Sequence, residues 1–266
     1  MTTRISLQFI FIVLMFFGCW TILRQIDWMQ QFSLNQLSAK SEKRLGDLYA
    51  KYFINTQMEL NDPEIYAPVD SLLQTICSTN GINADHIKLH ILENSQVNAF
   101  ALPDGHMIVY SGLIAATKSE AELSGIIAHE VAHISERHVM EKLRRELGLT
   151  VLLSMTTGNG SETIRNTAKV FTSSAYDRDL EREADQKAID YLIHARVPSE
   201  PMADFLERLA EKENPSMRHL EWINTHPDTR KRVEFIRNYS KGKNQAPRPI
   251  LKEVTWLKLQ KRLASL

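Results

Sequence analysis

Apolar positions lay out the plan of the chain before any chemistry is considered. From Ile5 to Leu23 they run almost unbroken, interrupted mainly by Ser6, Gln8 and Thr21 and bracketed by Arg4 and Arg24. As a helix this stretch reaches roughly 28 Å, close to the ~30 Å hydrocarbon core of a bilayer, so a retained membrane anchor is expected. Two rivals remain open. Phe9–Phe17 has the length of a signal-peptide h-region, but no small-x-small cleavage site follows it. Gly18-Cys19 is a lipoprotein-like pair, which the bulky Phe16-Phe17 before it fits poorly.

Beyond the anchor the pattern turns amphipathic. Leu37, Leu45, Leu48, Tyr52 and Ile54 fall at helical spacing within Asn35–Leu60, and Asn61-Asp62-Pro63 should stop that helix. A second, short helix is expected over Val69–Cys77, closed by Ser78-Thr79-Asn80-Gly81. The period then shortens to that of strands: Ile87–Leu92 alternates, Val97–Leu102 is apolar, Pro103-Asp104-Gly105 makes a turn and His106–Tyr110 resumes. A small, hairpin-rich sheet is the expectation.

From Ser119 the helical period returns. Leu123, Ile126, Ile127, Val131 and Ile134 mark one face of a helix expected to run to about Glu146, with Ser119 and Glu122 spaced as a capping box. After the Gly158-Asn159-Gly160-Ser161 breaker, helices are expected from Arg178 to Ala195, Pro201 to Glu213 and Thr229 to Tyr239. Lys241–Pro249 reads as a linker and Val254–Leu266 as a short amphipathic helix. The class is α+β, dominated by helices beside a small sheet. The domain plan is an anchor or signal over 1–26, one domain over 27–240, and a linker with a short helix over 241–266.

Composition narrows the function. With 32 basic and 32 acidic residues the formal net charge is zero, so no bulk field draws the chain to nucleic acid. Two cysteines, Cys19 and Cys77, make no disulfide framework.

The chemistry lies in His129-Glu130-Val131-Ala132-His133. On a helix, residues four apart are offset by only about 40° and separated by roughly 6 Å along the axis, so both imidazoles can grip one ion. Zn²⁺ suits such nitrogens, with the intervening Glu130 placed as general base for the attacking water. Isolated, the motif is also compatible with two ordinary histidines on a core helix. A catalytic zinc needs a third protein ligand, and Glu181 offers one. In Asp179-Leu180-Glu181-Arg182-Glu183-Ala184-Asp185, Glu181 and Asp185 share a helix face while Glu183 turns roughly 160° away. Glu181 then completes a His₂Glu site for one zinc per chain, and Asp185 accepts the other ring N–H of a ligating histidine.

These segments together resemble the membrane-associated zinc metallopeptidases of the CAAX prenyl endopeptidase, HtpX, Oma and BepA types. The resemblance spans roughly Asn35–Tyr239. It rests on Asn98-Ala99-Phe100 running through Pro103-Asp104-Gly105 to Leu113, on His129–His133 extended by Glu136-Arg137-His138, on Glu181–Asp185, and on Thr225-His226-Pro227 with Arg232. It implies a gluzincin-type fold whose edge strand flanks the active-site cleft, with Asn98, Ala99 and Phe100 binding substrate. It also implies internal cleavage of unfolded or misassembled protein substrates in membrane or envelope quality control. The chain lacks a second long apolar stretch and any helical repeat after His226, which sets it apart from the prenyl and BepA types.

The expectation is therefore a zinc-dependent endopeptidase with metal ligands His129, His133 and Glu181 and catalytic base Glu130. Arg232 or His226 assists at the oxyanion, and His226 is also a candidate restraint on the resting site. His138 is expected beside the site; His86, His90, His106, His194 and His219 are expected to be ordinary. Resemblance to envelope members points to an N-terminus-inside anchor with the catalytic domain in the periplasm, a single Arg before the span being a thin positive-inside signal. The rivals are a zinc-stabilised chaperone or scaffold that binds clients without cutting them, and a lipoprotein adaptor. A purely structural zinc site has no use for Glu130.

Overall fold

The computed structural model describes residues 15–17, 20, 39–148, 151–152, 154–155, 161–211, 221–243 and 246–266. The chain divides into two units, Met1–Lys40 and Ser41–Leu266. Of the expected anchor only Met15–Phe17 and Trp20 are described, as helical residues; the rest of Ile5–Leu23 lies outside the described residues. Among the described residues no helix is long and apolar enough to cross a membrane.

The first helices are α1 (Ala39–Thr56), all but its first two residues in the second unit, and α2 (Pro63–Thr79). A three-stranded sheet follows, of β1 (Lys88–Leu92), β2 (Ala99–Ala101) and β3 (His106–Tyr110). Then come α3 (Ser111–Ala116), α4 (Glu120–Ser135), α5 (His138–Leu147), α6 (Ser161–Thr167) and α7 (Lys169–Thr172). The remainder is α8 (Arg178–His194), α9 (Glu200–Glu211), α10 (Glu221–Thr225), α11 (Thr229–Ser240) and α12 (Glu253–Leu263). This is the helix-rich α+β class that the apolar periods indicate.

Local chemistry explains several boundaries that differ from the expected ones. Asn61-Asp62-Pro63 does not merely stop α1, which already ends at Thr56; it starts α2 six residues ahead of Val69. The Asp62 side chain accepts the Glu64 N–H at 2.9 Å, and Pro63 takes the first helical position, where a missing N–H costs nothing. The helix expected to run from Ser119 to Glu146 is two helices. Arg137 between them has φ 61°, and its guanidinium pairs with Glu42 of α1. The left-handed residue turns α5 back towards α4.

Only one pair in the sheet is a hairpin. β2 and β3 are antiparallel, whereas β1 joins β3 in parallel with Lys88 opposite His106 and Leu92 opposite Tyr110. β2 is thus an edge strand. Tyr110 N–H donates to the Asn98 carbonyl and Leu102 N–H to the His106 carbonyl, so the even-numbered groups of this strand face β3 and those of Val97, Ala99 and Ala101 face outward.

The helix that carries His129 and His133 runs through the centre. α4 packs against α8, α9, α2 and β2, and Leu123, Ile126, Ile127, Ala128 and Val131 are buried in the common core with Leu72, Ile189, Leu206 and Trp222. At Gly125 a Cβ would lie 2.5 Å from the Met202 Cβ, so the α4–α9 approach requires glycine there. α12 belongs to the same core: Leu259 and Leu263 are buried in it, and Arg262 reaches Asp62 at 2.6 Å.

Candidate metal centre

α4 presents His129 and His133 one turn apart, and the facing helix α8, started by the Asp177 cap on the Asp179 N–H, presents Glu181 and Asp185 with the same spacing. All four side chains are buried. His129 Nε2 and His133 Nε2 are 3.0 Å apart, and Glu181 Oε1 lies 3.3 Å from His133 Nε2. His226, in the turn between α10 and α11, adds its Nδ1 at 3.2 Å from His129 Nε2 and 2.9 Å from Glu181 Oε1. One ligand atom from each of the four residues lies within 4.8 Å of the others.

The donor chemistry fits a metal cation. Asp185 Oδ1 stands 3.0 Å from His129 Nδ1, so that nitrogen donates and Nε2 turns its lone pair to the centre. His138 Nδ1 lies 3.1 Å from His133 Nδ1 in the same outward position. Four acceptor atoms thus converge with no side-chain donor designed to serve them all. Ligands at about 2.0–2.1 Å in a tetrahedron sit about 3.3 Å from each other, which is the spacing found. Burial and Arg232 lower the His129 pKa, but Asp185 and Glu181 outweigh them and carry it up to about 9. Metal binding releases such a proton.

Glu130 is buried beside this set, outside it. Its Oε1 accepts from the Trp222 indole N–H at 3.4 Å and lies 3.5 Å from His226 Nε2, while Oε2 has no hydrogen-bond partner among the described residues. Burial pushes its carboxyl up to about 7; Glu181 adds to the rise, and His129, Trp222 and Lys142 oppose it. Burial works in the same direction on Glu181 and Asp185. It is overcome at Glu181 by His226, Arg232 and His129, and at Asp185 by Arg232 and His129, so both carboxyls lie below their ordinary range.

Arg232 of α11 holds the two carboxylates together. Its Nε and one terminal nitrogen each donate to Asp185 at 2.7 Å, and the other terminal nitrogen is 2.9 Å from Glu181 Oε2. In this arrangement the guanidinium is committed to those carboxylates. Asn98 is buried next to β2 with neither amide atom partnered among the described residues, and Ala99 and Phe100 are buried with it. Glu183 points away, as its spacing requires, and its carboxylate lies 3.4 Å from His138 Nε2.

Three neighbours of the centre have no sequence signal. Tyr176 stacks on His133 with ring centres 4.0 Å apart, Trp222 stacks on His226 at 4.5 Å, and Lys142 sits over Tyr176. None belongs to a spaced motif, and only the folded chain brings them in. His90 and His106, expected to be ordinary, are a pair: His90 bridges Glu59 at 2.6 Å and His106 at 2.9 Å, and Lys88 lies between His106 and Asp104. His219 lies outside the described residues.

Two helices that bring a His-Glu-x-x-His pair and a third carboxylate to one buried donor set, with a carboxylate beside that set and outside it, define the architecture of a metallopeptidase centre. The family model described as Peptidase family M48 matches residues 66–240, and the chain belongs to that family. Among its relatives, the beta-barrel assembly-enhancing protease of Yersinia pestis is 27% identical over 247 residues, covering 85% of this chain and 49% of the relative. The mitochondrial metalloendopeptidase OMA1 of Schizosaccharomyces pombe is 26% identical over 216 residues, covering 77% and 63%. The metalloprotease YcaL of Escherichia coli (strain K12) is 26% identical over 166 residues, covering 60% and 64%. The chain spans about half the length of the beta-barrel assembly-enhancing relatives that it matches.

Proposed function

We propose that this protein is a zinc-dependent metalloendopeptidase in which His129, His133 and Glu181 hold one zinc ion and Glu130 is the general base. The observation that carries this reading is the convergence of buried donor atoms from α4 and α8 within 4.8 Å, next to a carboxylate that is not spent on the set. Bound there, zinc supplies a Lewis acid that polarises the scissile carbonyl and offsets the charge developing on its oxygen. Glu130 takes the proton of the attacking water and passes it to the leaving amine. Asp185 fixes the ring of His129, and Arg232 braces Asp185 against Glu181. Once substrate rearranges the site, Arg232 or His226 is available to the oxyanion.

Substrate is proposed to bind along the β2 edge, where Ala99 and Ala101 turn their peptide groups outward and the Asn98 amide offers both a donor and an acceptor. Backbone pairing reads no side chains, which suits a quality-control enzyme acting on unfolded or misassembled proteins. Its setting is proposed to be the cell envelope, held at the membrane by Ile5–Leu23 with the catalytic unit in the periplasm; the apolar N-terminal run and the kinship with envelope-type proteases support this.

The test is zinc content and cleavage of unfolded casein by the wild type and by Glu130→Gln. Cleavage should fall at least a hundredfold in the variant, in line with loss of a general base, while zinc content stays at one per chain. A chaperone or scaffold would instead bind zinc and casein in both forms and cut in neither.

A further inference from the structure

One buried cation takes no part in the chemistry above. Lys142 of α5 is 3% exposed, and its Nζ has no hydrogen-bond partner among the described residues. It sits 3.9 Å from the centre of the Tyr176 ring. His133 stacks on that ring at 4.0 Å, so the imidazole covers one face and the ammonium occupies the other. A buried ammonium without an anion is costly, and native interiors retain few unpaired polar groups without a use for them. Burial lowers its pKa to about 8 while the charges of Glu181, Glu130 and Glu146 hold it up.

Lys142 also lines a pocket of about 200 Å³, together with Arg145, Glu146, Tyr176, Asp177 and Leu180. The charges in that pocket are not equivalent. Arg145 is taken by Asp177 at 2.7 Å and by Glu141 at 2.6 Å, which leaves Lys142 as the lining cation without an anion on it. The carboxylates of Glu146 and Asp177 at the same pocket disfavour a doubly charged ligand such as a phosphate monoester. A singly charged carboxylate is the ligand that one ammonium can satisfy.

We propose that Lys142 forms a carboxylate-binding subsite for the peptide substrate, one aromatic ring removed from the metal centre. The inference deepens the peptidase reading and rests on it. The two ring contacts bound the distance from Nζ to the His133 ring centre at about 8 Å, and an extended peptide advances about 3.3 Å per residue. The carboxylate therefore belongs to a residue within a few places of the scissile bond. It comes either from an Asp or Glu side chain or from the C-terminus of the chain being cut.

The test uses the full-length, zinc-loaded protein and matched quenched-fluorescence peptides that are otherwise uncharged. One arm compares Glu with Gln at each position around the cleaved bond, and the other compares a free C-terminal acid with its amide. In one arm the wild type should prefer the carboxylate member about ten- to hundredfold in kcat/KM, as a charge-assisted hydrogen bond predicts, and that arm names the source. The preference should fall to about one in Lys142→Met and in Lys142→Gln, and survive in part in Lys142→Arg. Equilibrium binding of the same pairs to Glu130→Gln, read by fluorescence anisotropy, should give the same ratios without turnover. Equal kcat/KM within every pair for the wild type, or a preference undiminished in Lys142→Met, overturns the subsite. Wild-type protein that cuts no peptide overturns the peptidase reading instead, and the binding ratios then still decide the role of Lys142.

Discussion

Glu181 and Glu183 stand two residues apart on α8, yet the helix sends them to opposite environments. Glu181 is 2% exposed among the imidazoles, whereas the Glu183 side chain is half exposed and meets His138. Glu181→Ala should therefore weaken zinc binding at least a hundredfold, and Glu183→Ala should change it by no more than about twofold, measured by chelator competition. Equal losses would mean that the metal takes the other carboxylate. At this scale the spaced motifs were legible: His129 with His133, and Glu181 with Asp185, lie on one face by helical geometry alone. Even the Asp185–His129 contact follows from that spacing. Tyr176, Trp222 and Lys142 were not legible, because each reaches the centre from a different segment and none has a local period.

Among the elements, α10 and the turn after it are the ones that close the site. Trp222 N–H donates to the outward carbonyl of Val97 beside β2, the Trp222 indole reaches Glu130, and His226 fills the fourth place in the donor set. One short segment thus engages the strand edge, Glu130 and the buried donor set. His226→Ala should raise basal casein cleavage several-fold by freeing the position that substrate needs; lower cleavage would favour an oxyanion role for this imidazole. On β2 the outward N–H of Ala99 is a donor for an added strand, so Ala99→Pro should depress cleavage about tenfold or more while zinc content is unchanged. Normal degradation by a folded, zinc-loaded Ala99→Pro protein would rule out pairing at this edge. The periods of α1, α8, α9 and α11 were readable to within a few residues. The break at Arg137 was not, because no local spacing marks it and it shows only as the left-handed residue of the folded chain.

For the whole unit from Ser41 to Leu266, the C-terminal helix is structural. Leu259 is fully buried against the core shared by α2 and α4, so Leu259→Ala should cost about 2–5 kcal/mol and lower the melting temperature of the catalytic unit as one transition. A separate early transition with an unchanged main melt would show α12 to be an appendage. The sequence by itself determined the class of the molecule and which faces carry His129 with His133 and Glu181 with Asp185, because each depends on a repeat of two or of about 3.6 residues that any short window displays. Tertiary structure alone decided the parallel pairing of β1 with β3 and the aromatic ring that separates Lys142 from the centre. Those features join residues tens of positions apart, and what selects them is the burial of faces against one another, which no local period encodes.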